Sequence, residues 1–270
     1  MLLVSKKERY ICMKGFLKKF TVLFLILSLL SVPLSAKAAE CKSWYIKRNG
    51  NKTPIFPTDA EELKEYNCYF IDEKCADLME HRLYLTFDAG YSNESFEKIL
   101  DILKDEKVPA AFFLLDNIIL KNTDLVNRLE DEGHLVCNHT KNHKNLSFSS
   151  KQAIAEDLSA LENIYREQTG REMSKYFRFP EGKYRIKALK AVSELGYKTV
   201  FWSFAYDDWD NARQMSESRA MKKILSNTHN GAVILFHPTS AVNAKIMPKL
   251  ISEWKNMGYS FGTLNDLCGN

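Results

Sequence analysis

The chain has 270 residues, with 38 Lys/Arg against 34 Asp/Glu, 45% hydrophobic residues and six cysteines. Its excess of base is confined to residues 1–38, so the rest is slightly acidic and gives no support for nucleic-acid binding. The roughly 230 residues beyond that leader can bury one sizeable core, and no C-x-x-C pair supports a zinc finger.

The leader reads as an export signal. Lys6, Lys7, Arg9, Lys14, Lys18 and Lys19 precede an apolar run from Phe20 to Val32. Ala36-Lys37-Ala38 then puts small residues where a signal peptidase reads. Met13 is an alternative start. The run falls short of the ~20 residues of a membrane span, so residues 1–38 are expected to be removed, leaving no stable span. Residues 39–81 read as a polar N-terminal extension packed on the main domain. A short helix is expected over 58–66, opened by the capping-box pattern Thr58-x-x-Glu61. Cys41, Cys68, Cys75 and Cys268 lie near the two ends, where an exported protein can staple itself with disulfides, and their pairing stays open. Cys137 reads as a small core residue.

From residue 81 strand and helix alternate. Strands are expected over 83–87, 110–115, 134–137, 176–179, 198–203 and 232–236, with a short last one near 260–263. Helices are expected over 93–106, 123–132, 150–168, 185–195, 216–228 and 243–257, several ending at a glycine (Gly133, Gly170, Gly196, Gly258). Such alternation means parallel strands joined by right-handed crossovers. Asp88, His139, Arg178, Asp208 and His237 all fall at or just after strand C-termini, which a parallel barrel gathers around one mouth. The fold class is therefore α/β: a distorted, partly open (β/α) barrel of about seven parallel strands, as a single domain over residues 82–267.

Two stretches carry the chemistry. His139-Thr-Lys-Asn-His143 spaces two imidazoles as ligands of one metal ion. Leu85-Thr-Phe-Asp88-Ala89-Gly90 is an apolar strand that delivers a carboxylate to a sheet rim and exits at a glycine. A metal that acidifies water, next to a carboxylate that takes its proton, makes a hydrolytic site.

In sequence order, Thr86-Phe87-Asp88-Ala89-Gly90, His139-Thr140-Lys141-Asn142-His143, Arg178-Phe179-Pro180-Glu181-Gly182, Asp208-Trp209 and Leu235-Phe236-His237 resemble the motifs of the polysaccharide deacetylases with a NodB homology domain, carbohydrate esterase family 4. Within that family the chain looks most like the muramic-acid de-N-acetylases that prepare peptidoglycan for the δ-lactam of spore cortex, with Tyr91 after Gly90 among the clues. The resemblance implies a distorted barrel that removes N-acetyl groups from peptidoglycan outside the cell membrane. Asp88 is then expected as general base, Arg178 as its orienting partner, His237 as general acid and Asp208 as the partner that keeps it cationic. His139 and His143 would hold a divalent metal, zinc by analogy. Tyr91, Phe179, Glu181, Trp209 and Leu235 would meet the substrate, Glu181 through its backbone N–H. One position departs from the pattern. The family's second Asp, a metal ligand, is Ala89 here, so weaker metal binding is expected from two side-chain ligands. Glu94 and Asp207 are possible substitutes. The same departure keeps open a non-catalytic wall-binding homologue, beside deacetylation of GlcNAc in peptidoglycan or in another polysaccharide.

Overall fold

Nine parallel strands of the computed structural model, which describes residues 40–77 and 81–269, form one curled sheet. The expected export signal lies outside the described residues. The chain begins with β1 (Lys42–Ser43), β2 (Lys47–Asn49), β3 (Lys52–Ile55), α1 (Ala60–Lys64), β4 (Cys68–Tyr69) and α2 (Lys74–Asp77). It continues through β5 (His81–Ala89), α3 (Glu94–Glu106), β6 (Ala110–Leu114), α4 (Asp116–Lys121), α5 (Thr123–Asp131), β7 (Leu135–Asn138), α6 (Lys151–Thr169) and β8 (Ser174–Phe177). After these come β9 (Lys183–Tyr184), α7 (Ile186–Glu194), β10 (Lys198–Val200), β11 (Phe204–Ala205), α8 (Glu217–Leu225), β12 (Ala232–Phe236), α9 (Ala241–Asn256), β13 (Tyr259–Phe261) and α10 (Leu264–Cys268).

The sheet runs β11-β12-β5-β6-β7-β8-β10-β4, and β13 pairs with the start of β5. All five residues of β6 and of β12 are buried, as strands covered on both faces require. Alternate residues divide between two packed regions. Leu85, Phe87, Phe112, Ile234 and Phe236 meet the surrounding helices in the largest hydrophobic cluster. Tyr84, Phe113, Cys137, Tyr176, Val200 and Val233 point the other way and form a small interior cluster with Leu264 and Leu267 of α10.

Curling brings the two ends of the sheet together. β10 and β11 lie near opposite ends of the strand order, yet only residues 201–203 join them. Those few residues span at most about 14 Å. At the seam Ile71, just past β4, bridges Ala232 of β12, and the Asp72 N–H donates to the Gly231 carbonyl at 2.9 Å. The result is a barrel closed by a seam of isolated hydrogen bonds.

Each of the seven expected strands has a counterpart, and the differences are local. The segment read as an extension also supplies β4 to the barrel wall, since β4 pairs parallel with β10. A two-residue strand in polar sequence carries no periodic signal. The expected strand 198–203 stops at Val200, and its last residues cross to β11. Helix α1 lacks the expected capping box. Its N-cap is Asp59 without a side-chain cap bond, because that carboxylate accepts from Lys42 at 2.6 Å and from the Tyr184 hydroxyl at 3.0 Å. Cys41, Cys68, Cys75, Cys137 and Cys268 are all free thiols. The Cys75 thiol donates instead to Asp72 at 2.9 Å.

The seam depends on Gly231. Its φ is +73°, and a Cβ there would come within 2.2 Å of the Asp72 carbonyl oxygen. Gly231→Ala is expected to cost about 2 kcal/mol or more, because it adds backbone strain to a clash with main chain. Urea denaturation of the two proteins measures this, and an unchanged midpoint would show that the seam does not hold the wall.

Candidate active site

The period of two that fills the barrel interior also builds the site. On β5, Tyr84, Thr86 and Asp88 rise along one face from floor to rim. Cys137 is followed by His139, Tyr176 by Arg178, and Val233 by Leu235 and His237, on the same inward face. Arg178 is fully buried and ties these strands together. Its Nη1 donates to Asp88 Oδ1 at 2.7 Å, its Nη2 to Thr86 Oγ1 at 2.9 Å and its Nε to the Val200 carbonyl at 2.8 Å. The guanidinium also lies 4.1 Å from the centre of the Phe113 ring. Burial alone would raise the Asp88 pKa, but Arg178, His139 and His237 outweigh it and hold the carboxyl below its ordinary value.

The opposite wall carries His237. Its Nδ1–H donates to Asp208 Oδ1 at 2.7 Å, which directs Nε2 into the cleft. Burial would lower this imidazole's pKa, but Asp208, and more weakly Asp88, raise it above the ordinary value. Asp208 is itself buried, and its Oδ2 accepts from the His237 N–H at 2.9 Å and from Asn243 Nδ2 at 2.6 Å. The Tyr206 hydroxyl donates to Asn243 Oδ1, which fixes the orientation of the amide.

His139 and His143 come from the loop after β7. His139 is buried, and its Nδ1–H donates to the Arg178 carbonyl at 2.8 Å. Its Nε2 is left facing Asp88 Oδ2 at 3.5 Å. Burial pushes its pKa down to about 4, so the ring is neutral at pH 7 and keeps a lone pair for a ligand. The His143 ring meets it edge-on with centres 5.1 Å apart. Thr140, His143 and Glu181 all have positive φ, at 71°, 62° and 56°. For a buried β-branched residue such as Thr140 this is an outlier, and such strain concentrates at functional sites. Asn138 holds the turn by accepting the Thr140 N–H at 3.0 Å. Two imidazoles beside a carboxylate fit a divalent ion through nitrogen ligands. Ala89 adds no donor, and no cluster of three His, Cys, Asp or Glu groups occurs among the described residues.

Asp88, His139, His143 and His237 open onto one cleft of about 960 Å³, whose walls include Tyr91, Glu181, Trp209 and Leu235. Arg178 and Asp208 stand behind it. Phe179 does not face the cleft. It is fully buried against Phe177 and Phe201, because the residue after the inward Arg178 points outward. Glu94 pairs with Lys98 on the surface, and neither it nor Asp207 lines the cleft. The sequence reading missed Trp202, Tyr206 and Asn211 on the cleft wall. It also missed Asn243, which lies one turn past the Ser240 N-cap of α9, whereas the helix was expected to begin at Asn243. A polar residue in the first turn of an apolar helix, six residues after His237, was the available signal.

Asn243→Leu would keep the volume and remove the donor. It leaves Asp208 Oδ2 and the Tyr206 hydroxyl short of buried partners, and a loss of about 2–3 kcal/mol is expected. Chemical denaturation measures it, and a change below about 0.5 kcal/mol would remove Asn243 from the network.

The barrel and the motif residues at its mouth define a polysaccharide deacetylase, and the chain belongs to that family, carbohydrate esterase family 4. The polysaccharide deacetylase family model matches residues 76–200. Among individual relatives, the chain is 32% identical over 229 residues to the peptidoglycan-N-acetylmuramic acid deacetylase PdaA of Bacillus subtilis, covering 83% of this chain and 85% of that protein. A peptidoglycan-N-acetylglucosamine deacetylase of Bacillus cereus is 31% identical over 195 residues, which is 70% of this chain and 88% of the relative. The solved structure of Bacillus subtilis PdaA, a family 4 carbohydrate esterase, superposes with a TM-score of 0.79 at 31% identity, over 85% of this chain and 97% of that one.

Proposed function

We propose that this protein is exported and removes the N-acetyl group of N-acetylmuramic acid in peptidoglycan, as a step toward the muramic δ-lactam of spore cortex. The observation that carries the reading is a carboxylate and an imidazole facing one cleft, each with its charged form favoured by a buried partner. Arg178 holds Asp88 ionised, and Asp208 favours the charged form of His237. The relative named as a muramic-acid deacetylase matches over most of both chains, which supports this sugar. Action outside the membrane agrees with the export signal read in the sequence. The forespore intermembrane space is one such location.

Hydrolysis of an acetamide needs a water made nucleophilic, a site for charge on the carbonyl oxygen and a proton for the departing nitrogen. Asp88 takes the proton of the attacking water, and Arg178 keeps that carboxylate in place. His237 delivers a proton from Nε2 as the C–N bond breaks, which releases acetate and the free amine. Asp208 fixes the tautomer and stabilises the imidazolium. Leu235 and Trp209 enclose the acetyl methyl, Tyr91 meets the sugar and the Glu181 N–H meets the carbonyl oxygen. His139 and His143 would hold a divalent cation, for which zinc is the first candidate, and Lewis acidity is what it supplies when bound.

The test is mass analysis of muropeptides after incubation with wild-type and Asp88→Asn protein, with and without added zinc. Acetyl is expected to leave muramic residues, and Asp88→Asn to lower the rate about 10²–10⁴-fold. Full activity of Asp88→Asn would remove the base. Loss of acetyl from the glucosamine residues instead would favour the second reading, which rests on the Bacillus cereus relative. No acetate release would leave the non-catalytic homologue suggested by Ala89.

The pH profile tests the acid separately. Activity requires protonated His237, so the rate should fall as pH rises through a pKa above the ordinary imidazole value. Asp208→Asn removes the charge that raises this pKa, so the basic limb should move to lower pH. A limb that stays in place would exclude His237 as the acid.

A further inference from the structure

We propose that Phe148 and Arg185 form a second binding site beside the cleft, for a carboxylate-bearing sugar strand. The proposal deepens the peptidoglycan reading above and rests on it for the identity of the strand. Phe148 is the most exposed of the large hydrophobic side chains among the described residues, at 67%. The Arg185 guanidinium lies over its ring, 4.8 Å from the centre. Among the described residues no carboxylate pairs with that guanidinium, and its buried Nε has no hydrogen-bond partner. A buried donor left open next to an exposed aromatic face is rare in a finished surface. The neighbouring cation is already satisfied, since Lys183 pairs with Glu181 at 2.5 Å.

The position is set by the two loops that also build the catalytic cleft. Phe148 lies five residues after His143 and Arg185 four after Glu181, and His143 and Glu181 both line that cleft. Four residues reach at most about 14 Å, so the patch is within a short stretch of the same strand. The Ser147 hydroxyl donates to the Lys183 carbonyl at 2.9 Å, which ties the two loops to each other. The ring face suits the C–H face of a pyranose. The guanidinium fork suits a carboxylate in two parallel hydrogen bonds. Peptidoglycan offers carboxylates on the stem peptide or, where the stem has been removed, on the lactyl ether, and the two share this chemistry.

The test is binding of wild-type, Arg185→Gln and Phe148→Ala protein to soluble peptidoglycan strands, by calorimetry, with acetate release followed in parallel. Thermal melting checks that each variant is folded. Each variant is expected to weaken binding about tenfold. On neutral N-acetylglucosamine oligomers the Arg185→Gln effect should disappear while the Phe148→Ala effect remains. Strands stripped of stem peptides separate the sources: a lost Arg185 effect assigns the peptide carboxylate, and a retained one the lactyl group. Folded variants that both bind strands as tightly as wild type overturn the site, whatever the acetate release. Binding that depends on Phe148 and Arg185 without any acetate release overturns the deacetylase reading and leaves the site standing.

Discussion

The buried guanidinium of Arg178 is the constraint on which the rest of the mouth depends. A charge with no exposure is tolerable only when its donors are used and its field is balanced. Arg178 meets both conditions by reaching Asp88 and Thr86 on β5 and the Val200 carbonyl on β10. Its own main chain accepts from His139 and donates to Asn138 at 3.1 Å. One residue therefore fixes, through its side chain, the ionisation of a carboxylate and the approach of β10 to β5, and, through its main chain, the tautomer of an imidazole and the contact with the end of β7. Removing the guanidinium would leave the Asp88 carboxylate without its buried cationic partner.

The second half of the site uses the same logic with the charges reversed. Asp208 is the buried carboxylate and His237 the half-open partner; Asn243 also donates to Asp208, and its amide oxygen in turn accepts from the Tyr206 hydroxyl. A carboxylate and an imidazole thus face each other across one cleft, each with its charged form favoured by a partner behind it. Their mutual attraction adds to both shifts. Acid and base chemistry can then coexist at one pH without either group neutralising the other.

The order of elements and most of the site were legible in the sequence because both follow from periodicity. Alternation of strand and helix implies a parallel sheet, and polar residues at strand ends imply a common mouth. Asp88, His139, Arg178 and His237 meet there for that reason. The misreading of Phe179 came from treating a motif as a unit. Adjacent residues on an extended chain face opposite ways, so an inward Arg178 already implied an outward Phe179. β4 and β11 were not legible, being two residues each and defined by partners distant along the chain. The Asp208–Asn243 contact joins residues 35 apart, and its one local trace is a polar residue in the first turn of an apolar helix.

Helix α10 occupies the end of the barrel opposite the cleft. Leu264 and Leu267 pack under Tyr84, Tyr176 and Val200, and Asn265 accepts from the Tyr176 hydroxyl at 2.7 Å. The carboxyl-terminal residues therefore act as a stopper for the rear opening and emerge behind the molecule. An affinity handle, a fluorophore or a surface-anchoring module attached at that end would trail away from an incoming polymer, provided the last turn is kept whole.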